Sequence, residues 1–209
     1  MVRAALTPED KRRLLRQRIP DRMFEVHFCR QVIAIMADAK QAKSKTGPEV
    51  VLSIAGHTYS IFPPKMLSYI ALDAGVMMCR ALMNFLGIYY GSESEDLYSR
   101  SDPRYDTTIH LGDFRLTPLS VNEACVPLSG READTVRNEL LVTLKTADIG
   151  IGHLTRTAGR DIGVLIKISH TCELVLFLMN KHLYEALGEK PMVFDGPTAS
   201  RHIRTMSGA

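Results

Sequence analysis

The apolar positions of this chain recur mostly at helical spacing, and the longest such pattern runs through residues 134–187. Val136, Leu140, Leu141, Leu144 and Ala147 mark one helix face; Leu165, Ile168, Cys172, Val175, Met179 and Leu183 mark another. Apolar residues three and four apart stack on one side of a helix, so two long helices are predicted. Between them stands a knot of small and polar residues, Gly150-Ile151-Gly152-His153-Leu154-Thr155-Arg156-Thr157. Gly150 and Gly152 weaken the end of the first helix, and Thr155 or Thr157 suits the cap of the next. Gly188 and Pro191 predict where the second helix stops.

The same period organises the earlier chain. Thr7-Pro8-Glu9-Asp10 is a helix start: Thr7 caps, Pro8 fits the first turn, and the acids face the positive end of the dipole. Pro20 disfavours helical geometry in Ile19, which predicts a break there. Asp21 then caps a second helix to about residue 43, with Phe24, Phe28, Val32, Ile35 and Met36 as its apolar stripe. Two β-branched stretches, residues 50–54 and 57–62, flank Ala55-Gly56 and permit a small hairpin. A third helix is expected over residues 64–86, with Met66, Ile70, Ala74, Met77, Ala81 and Phe85 on one face. Leu67, Gly75, Met78 and Leu82 widen that face, so burial around much of the girth is expected.

Residues 87–130 carry no long periodic pattern. Such a stretch is expected to be a lid, a wrapping segment or disordered. The expectation is therefore an all-α bundle of four to five helices, with the hairpin after helix two. It forms one domain over residues 1–188, followed by a mobile tail over residues 189–209.

Composition supports helices. Hydrophobic residues make up 45% of the 209 residues and charged residues 23%, while Trp is absent and aromatics are 7%. The core must be built from Leu, Ile, Val, Met and Ala, and disorder of the whole chain is excluded. Cys29, Cys79, Cys125 and Cys172 form no CxxC pair and read as free thiols, which implies a reducing, cytoplasmic setting. The charged first twenty residues do not resemble a signal peptide. The most apolar stretch, residues 162–179, is interrupted by Lys167, His170 and Glu173, so no membrane span or membrane partner is expected.

The net charge is only +3, but residues 11–18 hold five basic residues in eight. Lys11, Arg12, Arg13, Arg16 and Arg18 form either a solvated helix face or an electrostatic footprint for RNA. Candidate chemistry gathers at the knot. His153, beside Arg156 and Arg160, has its charged form disfavoured, which suits a neutral base. Arg160, Thr155 and Thr157, with the opening amides of the following helix, suit an anion such as phosphate. The plainer alternative is that His153 bonds a backbone group at a tight junction. Arg80 stands inside the apolar third helix, close in phase to Asp73. It is either one half of a structural ion pair or a group projecting toward His153. His170/Glu173 and His182/Glu185 share helix faces, but the arrangement of a di-iron bundle is missing, and no metal or other cofactor is expected. Phosphate-loop, dinucleotide-binding, zinc-protease and serine-hydrolase motifs are absent.

Arg80-Ala81-Leu82-Met83-Asn84-Phe85-Leu86 and the later His153-Leu154-Thr155 together resemble a group of bacterial helical proteins. That group carries Arg-x-Leu-x-x-Phe-Leu and His-Leu-Thr segments and is similar to HEPN-type helical bundles. The resemblance implies a homodimeric bundle directed at RNA, in many cases a metal-independent endoribonuclease. In an RNA-directed reading, the residues at the knot and the basic run make His153, Arg80 and Arg156 the catalytic candidates and Arg160, Thr155, Thr157, Arg12, Arg13 and Arg16 the phosphate- or RNA-binding ones. The HEPN spacing of an arginine four to six residues before a histidine is not found at His153 or His170. It occurs instead at Arg22/His27 and Arg104/His110, with Met23 and Tyr105 where a polar residue is usual. The second expectation is a non-enzymatic helical interaction module.

Overall fold

The computed structural model describes residues 5–41, 50–54, 57–61, 64–102, 108–149 and 162–194. The chain opens with α1 (Pro8–Arg13), capped as expected. Thr7 Oγ1 accepts from the Asp10 amide, and the Asp10 carboxylate accepts from the Thr7 amide. The break expected at Pro20 does not occur. α1 runs through a π turn (Leu14–Arg18) straight into α2 (Ile19–Gln41), so Asp21 caps nothing. Proline has no amide to give the carbonyl four residues back, and its ring crowds that carbonyl. The helix meets this by widening. The Ile19 amide reaches back five residues to the Leu14 carbonyl, and the π turn absorbs the misfit.

β1 (Val50–Ile54) and β2 (His57–Ile61) form the expected antiparallel hairpin. α3 (Pro64–Leu86) follows, and Gly87 at φ +98° ends it; a Cβ there would lie 2.7 Å from Pro118. Beyond it, β3 (Ile88–Gly91) pairs with β4 (Asp96–Ser99), stacking Tyr89 on Tyr98. A 3₁₀ turn (Leu111–Phe114) and the short α4 (Val121–Ala124) complete the stretch. Its described residues wrap the bundle: Ile88, Leu97, Leu111, Phe114 and Leu119 are buried, and the Leu119 amide donates to the Leu86 carbonyl. Short elements take the place of the long irregular loop, because alternating buried residues pin the chain at short intervals.

α5 (Ala133–Ile149) and α6 (Ile162–Met179) are the two long helices expected from the pattern. α6 continues through a second π turn (Asn180–Tyr184) and a 3₁₀ turn (Glu185–Leu187) to Gly188 at φ +70°. Asn180 then holds Met192 through both its backbone groups, at 2.8 and 3.0 Å. The result is an all-α bundle: α2 packs on α3 and α6, and α5 on α3 and α6.

The core faces differ from two of the expected stripes. On α2 the buried face is Met23, Val26, Cys29, Val32 and Ile33, while Phe24 and Ile35 are 56% and 48% exposed. On α3 it is Ala71, Leu72, Val76, Cys79, Leu82, Met83 and Leu86, and Ile70 is exposed. Both helices carry more than one apolar stripe, and close packing selected between them. Gly75 shows how: a Cβ there would sit 2.1 Å from the Cys29 Cβ, so α2 and α3 approach through a gap that only glycine leaves.

All four cysteines are buried and free. Cys79 and Cys172 approach to 3.7 Å, and hydrogen bonding to Cys172 together with burial holds the Cys29 thiol well above its usual range. Two stretches, Tyr69–Leu86 and Ile162–Leu187, are long and apolar enough to cross a membrane by length and composition. About half of each is buried against other parts of the bundle, as core helices also are.

Candidate functional site

Arg80 projects from α3 onto the last turn of α5. Its guanidinium lies 2.8 Å from the Asp148 carboxylate and donates to the Ala147 carbonyl at 3.4 Å. Both contacts fit the negative end of a helix dipole. Asp73, its neighbour in phase, forms no ion pair among the described residues, and burial raises its carboxyl pKa. His153, Thr155, Arg156, Thr157 and Arg160 lie outside the described residues, and so does any meeting of Arg80 with His153.

Among the described residues, a dense polar constellation lies on the facing sides of α5 and α6. Glu139 is almost fully buried. One of its oxygens is 2.6 Å from His170 Nδ1, and the other accepts from Arg131 at 3.1 Å. Arg131 also donates to Glu173 at 2.7 Å. Glu173 accepts from Ser129 and, at 3.4 Å, from Arg30 of α2. Beneath them Thr143 and Thr171 share a buried hydrogen bond between the helices. The tight turn bridging Leu128 and Arg131 delivers the outer members, with Ser129 at φ +52° and Gly130 at φ +77°. With two arginines against two carboxylates, the charges balance on the spot, and two carboxylates leave neither arginine available to an added anion.

His170 and Glu173 share a helix face in the sequence, but nothing local to Arg131 or Glu139 marks them as their partners. A signal was present: a glutamate, a histidine and a glutamate interrupt otherwise apolar faces of two adjacent helices. Among the described residues, no group of three or more metal-ligating side chains is arranged to hold an ion.

A third feature is open. A cleft of about 570 Å³ lies between the first long helix and α3. Its floor is apolar, with Leu14, Leu82 and Phe85. Its rim carries Arg18, Asp21, Arg22 and Glu25, of which Arg22 and Glu25 pair at 2.8 Å. The basic residues nearby are exposed. Arg12 pairs with Glu9 at 2.6 Å, and Arg13 and Arg16 face solvent.

Fold and site together define a helical-bundle protein that, among the described residues, carries a closed ion network and an open amphipathic cleft. No family model matches the chain, and neither a curated protein nor a solved structure matches it.

Proposed function

We propose that this chain is a non-enzymatic helical module that works by binding. One observation carries the reading: among the described residues, the polar groups best placed for chemistry are spent on each other. Arg80 holds the end of α5, Arg131 is divided between Glu139 and Glu173, and His170 is tied to Glu139. A group engaged in a good ion pair must give that pair up before it serves a substrate. RNA incubated with purified protein in EDTA is expected to stay intact. Cleavage that disappears in His153→Ala or Arg80→Ala, with the fold retained, overturns the reading.

A second reading is favoured by the exposed Arg13, Arg16 and Arg18 at and just before the π turn of the first long helix. In it the protein is a HEPN-like homodimer that acts on RNA in the cytoplasm, with His153 as acid or base and Arg156 and Arg160 holding phosphate. RNA affinity would then fall steeply with salt, and replacing Arg13 and Arg16 by glutamine would flatten that slope. Light scattering of the purified protein reads the dimer directly.

A further inference from the structure

We propose that the cleft between the π turn and α3 binds a free amino acid with a branched or aromatic side chain. The inference rests on the binding-module reading and names a ligand class for it.

The cleft lies where the helix widens just before Pro20, and the widened turn supplies Leu14 to the floor and Arg18 to the rim. π turns inside α-helices are often found at functional sites, since they swing side chains out of helical phase. The volume, about 570 Å³, lies within the range of small-molecule sites. Leu14, Leu82 and Phe85 in the floor are themselves nearly buried, so the gain comes from the ligand's own apolar group leaving water against them.

The rim chooses the head group. Arg22 and Glu25 neutralise each other. Arg18 and Asp21 form no ion pair among the described residues, although both are exposed at the mouth of the same cleft. They stand three residues apart on one helical face, so a cation and an anion border the apolar floor side by side. A simple carboxylate would gain Arg18 but meet Asp21; a simple amine would meet Arg18. A zwitterion satisfies both: its carboxylate pairs with the Arg18 guanidinium and its ammonium with the Asp21 carboxylate. Its side chain then points to the floor.

The test is calorimetric titration of the full chain with L-leucine and L-phenylalanine. The comparators are 4-methylpentanoate, which is leucine without its ammonium, and 3-methylbutylamine, which is leucine without its carboxylate. Saturable one-to-one binding of the amino acids is expected, with each comparator weaker by about two- to fivefold, the worth of one solvent-exposed charge pair. Arg18→Gln and Asp21→Asn should each cost a similar factor for leucine, and Arg18→Gln should leave the amine's binding undiminished. Both side chains are exposed, so the thermal midpoint should not move. Ala81→Phe, at an exposed position lining the cleft, should block binding altogether. No saturable binding of either amino acid overturns the inference. So does a comparator that binds as well as leucine, or an affinity for leucine indifferent to both rim substitutions. Each of these results leaves the binding-module reading standing, because that reading fails only in the RNA assay.

Discussion

Tyr184 sits where it does because a carbonyl across the bundle lacks its usual partner. In a regular helix the Leu15 carbonyl would take the Ile19 amide, but the π turn sends that amide to Leu14. The Tyr184 hydroxyl donates to Leu15 instead, at 3.0 Å. Burial, then the charge of Glu189, raises the pKa of this phenol, so it stays a donor across the ordinary pH range. Tyr184→Phe removes the donor and strands a carbonyl. The expected loss is about 1–2 kcal/mol in urea unfolding, with little change in the slope. Gly75 is the second residue whose identity follows from one contact. Gly75→Ala places a methyl against Cys29 where neither helix backbone has room, and should cost about 1–3 kcal/mol. Cys29→Gly in the same chain should recover part of that loss, which a double-mutant cycle would measure as coupling.

Pro20→Ala restores an amide to the helix, and the π turn loses its cause. The helix should then rewind, and the Leu15 carbonyl should recover the Ile19 amide. Tyr184→Phe should therefore cost much less in the Pro20→Ala background than in the native chain, as chemical denaturation of the four proteins would reveal. The α5–α6 pair is held by apolar packing and by the Glu139 network. Glu139→Ala takes from Arg131, itself largely buried, one of its two carboxylate partners and takes from the half-exposed His170 its acceptor, at an expected cost of about 1–3 kcal/mol. Glu139→Gln keeps the shape and one acceptor and should cost less. Equal losses for the two substitutions would indicate that the network contributes only packing.

For the whole molecule, the pH response follows from histidines whose charged form is disfavoured. Burial, then Arg30, lowers the His27 pKa; burial, then Lys181, lowers that of His182. A histidine with a depressed folded value binds its proton more readily when unfolded. Stability is therefore complete above the unfolded value of about 6.5 and falls as pH drops below it, until the folded values are passed. His27 stacks on Phe194 and contacts Gln31 at 2.7 Å, so the segment after α6 is part of what acidification loosens. The thermal midpoint should fall between pH 7 and pH 5. His27→Asn should flatten that slope, whatever it does to stability at pH 7.

The bundle itself was legible in residue spacing, and so were the Thr7 cap, the first hairpin and the long α3, α5 and α6. Local propensity and period decide whether a stretch is helical, and they act within a turn or two of chain. Which stripe of α2 and α3 turned inward was not legible. Both stripes were apolar, and the choice lay in how Gly75 admits Cys29 across two helices. Pro20 pointed to a break from sequence, since the local rule weighs only the lost hydrogen bond. Tertiary packing kept the helix whole, because Leu14, Ile19 and Met23 are buried on both sides of the proline and Tyr184 answers the freed carbonyl. Arg80 stood out in the sequence as a charge in an apolar helix, but its partner came from α5, 68 residues further along the chain. Sequence by itself determined that the chain forms helices with a buried face. Only the tertiary structure decided that Arg80 closes on Asp148 and Arg131 on Glu173, since those pairings join positions far apart in the chain.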